Sequence, residues 1–272
     1  MRVSMATAPA YPDQPNEDFV AASPHGVVLL DGAGLSGNTT KCVHGVAWYA
    51  RRLGTALLAR LTDEADLKTI LATAICEIAE SHAETCNPGD DPATPSSTVI
   101  VLRRAGDAIE YLVLADSVLV LDTGEDPPIV ITDDREAKIG KRYRARMDAL
   151  TNGTPEHDEA RRDYVRAVQA HRNTSGGFWV AAANPEAAEH AIAGSYPAKF
   201  VRAAALLSDG ASRLADWFHL TGWRGLLSIL DSQGPNTLID QVRDAEASDP
   251  HGIRWPRGKT HDDATVAYCT DV

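Results

Sequence analysis

The sequence predicts an α+β protein, a four-layer α-β-β-α sandwich of two antiparallel sheets flanked by helices. Three observations point there. Short apolar runs separated by turn residues recur at close spacing between 97 and 133. Two stretches before them carry apolar residues at helical period, and three more helical segments gather after a further apolar run at 204–209. Strands in runs, with helices grouped instead of alternating with them, fit sheets covered by helical layers.

In chain order, residues 1–20 read as a strand, a Pro-rich turn and then NEDFV, and VVLL (27–30) is a buried strand. From Lys41 to about Leu61 the apolar positions Val43, Val46, Ala47, Ala50, Leu53, Leu57, Leu58 and Leu61 fall on one helical face. A second helix runs from about Glu64 to Ala83 on Leu67, Ile70, Leu71, Ala74, Ile75 and Ile78. CNPGDDPATP (86–95) is a loop by its Pro and Gly content. STVIVLR (97–103), IEYLVLAD (109–116), SVLVLD (117–122) and PIVITD (128–133) then form an antiparallel meander, with ADS (115–117) as a tight corner between the second and third strands.

Residues 134–175 are charged, helix-prone and poor in large apolar side chains, and are expected to make a helical excursion over the sheet, since a structureless loop of that length is unusual inside a domain. EHDEARRDYVRAVQAH (156–171) is its surface helix. GGFWVAAA (176–183) reads as a strand, and Asn184-Pro185 as the cap and first position of a helix. After the strand AALLSD (204–209) come helices near 211–217, 221–232 and 235–246, then a loop, WPRGKTHDD, and a last strand, ATVAYC (264–269). No repeat or interdomain linker interrupts the chain, so residues 1–272 are read as one domain.

The composition is that of a globular protein: 44% hydrophobic, 24% charged, net charge −12. An acidic chain lacks the basic face that nucleic acid or anionic lipid requires, so neither partner is expected. No apolar run approaches the ~20 residues of a membrane span, and the start of the chain lacks the apolar core of a signal peptide. Cys42, Cys76, Cys86 and Cys269 form no C-x-x-C pair and are read as free thiols of a cytoplasmic protein.

Acidic residues recur where apolar runs end. VVLL is followed by Asp31-Gly32 and ALLS by Asp209-Gly210, while Asp262-Asp263 precedes the last strand and Glu17-Asp18 precedes FVAA. One such Asp is ordinarily a turn former or helix cap. Four such places are a pattern, because a carboxylate at a buried strand end is costly without positive compensation. If the strands pair centrally, the acids converge at one edge of the sheets. Several oxygens with neither Cys nor an obvious His suit Mg²⁺ or Mn²⁺ and argue against zinc there. A carboxylate bridging two ions gives the arrangement that activates water for attack on phosphorus.

The ordered set NEDF, DGAG, SSTVIVL, LADS, VITDD, LLSDGAS and DDATV, spread from residue 16 to residue 266, resembles the metal-dependent type-2C (PPM-type) protein serine/threonine phosphatases. The resemblance implies hydrolysis of phosphoserine and phosphothreonine in a protein substrate by a water held between two Mn²⁺ or Mg²⁺ ions, by a chain acting as a monomer. It assigns Asp31 to bridge both ions, the Gly32 carbonyl to one of them, and Asp209 and Asp262 to the other. Glu17 and Asp18 would orient metal-bound waters, Asp133 matches the place of a third ion in many relatives, and Asp116 matches a mainly structural position. Asp263 falls where the family usually has Asn. His44 is the histidine nearest DGAG, a region from which the family is proposed to draw a general acid, although its apolar helical surroundings equally suit a packed histidine.

The pattern breaks at Asp13, where many relatives carry an arginine that clamps the substrate phosphate. An Asp there would repel phosphate. Arg2, Lys41, Arg172 or Lys259 would have to replace it, or the chain is a weakly active phosphatase-fold binding or regulatory module. The segment carrying Arg161, Arg162 and Arg166 corresponds to the family's flap beside the active site; a solvated helix face with internal ion pairs explains those charges equally well.

Overall fold

The structure is a computed structural model that describes residues 1–34, 42–86 and 93–272. Its strands are β1 (Arg2–Ala8), β2 (Phe19–Ser23), β3 (Gly26–Leu30), β4 (Gly32–Ala33), β5 (Ser96–Ser97), β6 (Val99–Ala105), β7 (Ala108–Leu114), β8 (Val118–Asp122), β9 (Ile129–Ile131), β10 (Ile192–Pro197), β11 (Ala203–Leu207) and β12 (Ala264–Thr270). The helices are α1 (Val46–Ala59), α2 (Leu67–Ser81), α3 (Ala83–Cys86), α4 (Arg135–Gly140), α5 (Ala145–Asp148), α6 (Pro155–Gln169), α7 (Asp209–Asp216), α8 (Trp223–Gln233) and α9 (Pro235–Ser248).

Among the described residues ten strands form two five-stranded antiparallel sheets, ordered β1-β12-β11-β8-β9 and β10-β7-β6-β3-β2, and β4 pairs with β5 in a separate two-stranded sheet. The sequence expectation of two antiparallel sheets between helical layers therefore holds. The inward faces meet in one core, where Val27, Leu29, Ile100 and Leu102 from one sheet join Leu119, Leu121, Leu206 and Ala267 from the other. The outer face of the β3 sheet packs on α1 and α2 through Val28, Leu30, Leu53, Leu57 and Ile75. That of the β12 sheet packs on α7, α8 and α9 through Val266, Leu207, Leu214, Leu226 and Val242. Central strands buried on both faces read as continuous apolar runs, which is why VVLL and AALL were visible in the sequence.

Several expectations are corrected. The run 97–133 is not one meander: β6 pairs with β7 in one sheet and β8 with β9 in the other. The corner at 115–117 carries the chain between sheets, with Ala115 in the left-handed region at φ +68°. Residues 176–183 form no strand; their buried backbone is satisfied by a two-way bridge between Ala181 and Ser97 and by the Tyr49 hydroxyl, which donates to the Ala182 carbonyl. The next strand is β10, and Pro185–His190 is a 3-10 helix capped by Asn184. The first helix begins at Val46, after Gly45 at φ +79°, which leaves Val43 outside it and 77% exposed. Lys41 and most of the 86–95 loop lie outside the described residues. Segment 134–175 is helical as expected, and the charges of α6 are partly self-neutralised: Arg166 pairs with Asp163, and Arg146 of α5 reaches Glu159 and Asp163.

Candidate metal centre

Asp31 leaves β3 at the point where the two sheets meet. Its backbone is held on both sides: its N–H donates to Thr98 Oγ1 (3.1 Å), and its carbonyl accepts from the Thr98 N–H (2.9 Å) and the Ser97 hydroxyl (2.8 Å). With the main chain so fixed, the carboxylate projects from the strand end and accepts the Asp209 N–H at 3.1 Å. Asp209 opens α7, so the end of β11 and the start of α7 are tied to the end of β3 by one carboxylate. Thr98 Oγ1 also bonds the Ser117 hydroxyl at 2.7 Å, drawing in the corner that carries Asp116.

The expected acids converge. Burial raises the Asp31 carboxyl well above its ordinary range, and repulsion from Asp18, Asp209, Asp262 and Asp116 raises it further. Asp209 is raised by burial and by Asp262, against the attraction of Arg213 and Lys259. Glu17 is raised by burial, with Lys259 opposing and Asp263 and Asp262 reinforcing. Asp31, Asp209 and Asp262 are each half-buried, keeping part of their surface open. No three acids among the described residues bring a carboxylate oxygen each within 4.8 Å of one another.

Asp18 carries the clearest signal. It is 7% exposed, and neither carboxylate oxygen has a hydrogen-bond partner. Burial pushes it up to about 7; Thr265 and Ser208 nearby moderate the rise, while Asp263 and Asp209 add to it. Ser208 Oγ accepts the Thr265 N–H at 2.9 Å and Thr265 Oγ1 shares a hydrogen bond with Thr7 Oγ1 at 2.6 Å, so both hydroxyls keep a proton that can turn toward Asp18.

Asp262 differs. Its carboxylate receives Lys259 Nζ at 2.8 Å and Arg213 Nη2 at 3.0 Å. Burial would raise it, but these two cations outweigh burial and hold it below the ordinary value. Asp263 is fully used as a brace, accepting the Ala10 N–H and the Glu17 N–H, each at 2.7 Å. Both carboxylates are thus engaged, Asp262 by two cations and Asp263 by two backbone N–H groups.

Asp133 is buried beside the centre but clamped by Arg135, whose Nε lies 2.8 Å from both of its oxygens. Asp116, expected to be structural, lies in the cluster; burial, Glu136, Asp209 and Asp133 raise it well above the carboxylate range. Glu136, from α4, was not anticipated, and burial with Asp209 and Asp133 pushes it up to about 7 against the pull of Arg172. Of the proposed replacement cations, Lys259 sits at the centre and Arg172 is close enough to act on Glu136, while Arg2 pairs with Asp271 at the surface. Asp13 is exposed. His44 packs on Trp48, with ring centroids 4.3 Å apart, and contacts Cys86.

The glycines after the two aspartates serve close packing. A Cβ on Gly32 would stand 2.4 Å from the Glu17 carbonyl oxygen, and one on Gly210 would stand 2.0 Å from that of Asp263.

No protein-family model and no curated protein matches the chain. Solved structures do. The catalytic domain of the serine/threonine phosphatase PstP, in complex with two manganese ions, is 18% identical, with 98% of this chain and 96% of that chain covered and a TM-score of 0.56. Stp1 from Staphylococcus aureus is 13% identical over 99% and 94%, with a TM-score of 0.57. PppA, a regulatory component of T6SS in Pseudomonas aeruginosa, is 14% identical over 98% and 96%, with a TM-score of 0.56. The chain has the fold of the bacterial PPM-type serine/threonine phosphatases. In this phosphatase fold the carboxylates gather where strand ends of the two sheets meet. No described helix is long and apolar enough to cross a membrane.

The donor set fits hard divalent cations: carboxylate oxygens from several elements, two of them orphaned, with no sulfur or imidazole among them. The metal-free protein should therefore lose stability as pH rises. Asp18 and Glu136 hold protons up to about 7 in the folded chain, whereas an unfolded carboxyl releases its proton near pH ~4. Between those limits the folded state binds more protons, so unfolding free energy falls with pH, by on the order of a few kcal/mol from pH ~5 to ~8. Asp66, Asp122, Asp249 and Asp262 are shifted down and act below that window. Denaturant titration in EDTA at the two pH values measures the slope. A flat profile in EDTA, or an unchanged slope with saturating Mn²⁺, would contradict the assignment.

Proposed function

We propose that the chain is a metal-dependent protein phosphatase acting on phosphoserine and phosphothreonine, with Asp31, Gly32, Asp209 and Asp262 holding two Mn²⁺ or Mg²⁺ ions. The single observation that carries the reading is the Asp18 carboxylate, buried with both oxygens unpartnered among other acids. An uncompensated buried charge is costly, and incoming cations would offset that cost at every acid in the cluster. The phosphatase fold and a relative that holds two manganese ions support the same reading.

When bound, such ions supply a water of lowered pKa and neutralise phosphate charge. Asp31, in contact with Asp209 and close to Asp18 and Asp262, suits the bridging role. Glu17 and Asp18 are placed to accept protons from water around the ions, and Asp133 to assist a third ion once Arg135 yields. Lys259, whose ammonium is drawn to Asp262, Asp209 and Asp31, supplies the positive charge that Asp13 does not. Lys259→Met should raise KM about 10–100-fold, the scale of one lost charge-assisted hydrogen bond, while Mn²⁺ affinity does not fall, since Lys259 competes with an ion for Asp262. An unchanged KM would remove Lys259 from phosphate binding.

The chain stripped with EDTA should be inactive on p-nitrophenyl phosphate and on phosphoserine and phosphothreonine peptides, and Mn²⁺ should restore turnover. A second reading, a metal-binding regulatory module with little turnover, draws on Asp262 and Asp133, whose oxygens already face Lys259, Arg213 and Arg135. Calorimetric Mn²⁺ binding without hydrolysis would favour it. Hydrolysis that survives exhaustive chelation would exclude both.

A further inference from the structure

Before α1 lies a cluster of a different chemistry. Cys42 and His44 sit just before α1, and Cys86 ends α3. His44 Nδ1 is 3.9 Å from Cys42 Sγ and 3.3 Å from Cys86 Sγ, and all three donor atoms lie within 4.8 Å of one another. Among the described residues no other three Cys, His, Asp or Glu side chains place their donors so close. Both sulfurs belong to buried residues, and neither cysteine is in a disulfide.

We propose that Cys42, His44 and Cys86 form a zinc site, distinct from the carboxylate centre. A tetrahedral ion with Zn–S of ~2.3 Å and Zn–N of ~2.0–2.1 Å places sulfur and nitrogen about 3.6 Å apart; the two separations found lie on either side of that value. Two thiolates and an imidazole select a soft or borderline ion over Mg²⁺ or Mn²⁺, so the chain sorts metals between two sites.

The surroundings favour the thiolate at Cys86. Burial alone would raise Cys86, but hydrogen bonds from the Thr85 hydroxyl, from the backbone N–H groups of Val43 and His44 and from Cys42 outweigh it and hold the thiol below its ordinary value. Cys42 is raised by burial and by Cys86, against bonds from the His44 and Gly45 backbone N–H groups. Backbone amides thus converge on both sulfurs, and Gly45 at φ +79° makes the curl that aims them there. The His44 ring is fixed by stacking on Trp48, and His82 stands edge-on to it with centroids 5.7 Å apart. Three protein ligands leave the fourth position for water or His82.

The site ties the start of α1 to the end of α3. Val46, two residues after His44, is the side chain a Cβ on Gly32 or Gly34 would meet, at 2.7 and 2.5 Å. Zinc here would hold the helix that backs the Asp31 loop.

In the full chain, reduced with a phosphine and stripped of metal, a thiolate-to-cobalt charge-transfer band in the near ultraviolet should grow to saturation at one Co²⁺ per thiolate site, Co²⁺ on the carboxylates adding nothing to it, and Zn²⁺ should bleach it. Cys42→Ser and Cys86→Ser should each abolish the band and weaken zinc by more than about a hundredfold against a chromophoric chelator. Cys76→Ser and Asp31→Asn should keep it, which separates this site from the carboxylates. If a serine variant fails to fold by circular dichroism, His44→Gln read by native mass spectrometry counts the zinc instead, with loss of the ion expected. The proposal is overturned by absence of the band in the reduced chain, by its survival in Cys42→Ser, or by a zinc count unchanged in His44→Gln.

Discussion

Asp31→Asn is expected to abolish phosphatase activity while making the metal-free chain more stable. Asn keeps the shape and one acceptor oxygen, so the Asp209 N–H retains its partner at the end of β3. What disappears is a deep negative charge repelled by Asp18, Asp209, Asp262 and Asp116. Above neutral pH the neutral side chain relieves that repulsion, and the thermal midpoint in EDTA rises. The same loss removes the carboxylate shared by the proposed ions, and kcat should fall by at least about 10²–10³-fold, the scale of removing one preorganised charge-stabilising group. Mn²⁺ should then raise the variant's midpoint far less than the parent's. Asp209→Asn should behave alike, with a smaller apparent gain because Arg213 and Lys259 already offset part of that charge. A variant with parental turnover, or one destabilised in EDTA, would mean that Asp31 is an ordinary turn residue.

The largest structural effect is expected from Gly210→Ala. Position 210 lies in α7, so its backbone conformation suits alanine and helix propensity would favour the change. The obstacle is the new methyl, 2.0 Å from the Asp263 carbonyl oxygen and 3.4 Å from Ala264 Cα. Both are backbone atoms and cannot rotate away. Either α7 lifts from the start of β12 or the 262–264 segment shifts, and each separates Asp209 from Asp262. Overpacking of this kind costs about 1–3 kcal/mol. Urea denaturation should show that loss, and Mn²⁺ affinity should fall with it. Unchanged stability would mean that the contact between α7 and β12 is looser than described.

Much of the centre was legible in the sequence for one physical reason. Asp18, Asp31, Asp209 and Asp262 each border an apolar strand, so a strand reading delivers them to a common edge. Glu136 has no such mark: it sits in a charged, helix-prone stretch where an acid is unremarkable, and only the return of α4 onto the sheets buries it. Asp133 bordered a strand as expected, but its clamp by Arg135, two residues on, depends on side-chain direction that spacing does not reveal. The strand read at 176–183 failed because an apolar run marks burial and not backbone conformation, and β10 was missed because its side chains are mostly small and exposed. The cysteines were read correctly as outside any disulfide, but the meeting of Cys86 with His44 needs a contact between residues 44 and 86 that neither local pattern contains.

The pairing of β1 with β12 has a practical corollary. Ala8 faces Ala264 beside the acids, while Arg2 faces Thr270 six residues further along, a separation of about 20 Å at the rise of a strand. Arg2 and Thr270 thus sit side by side at the pole remote from the carboxylates. A fluorescent label placed on a surface side chain at that pole would report on folding while standing well clear of the acids.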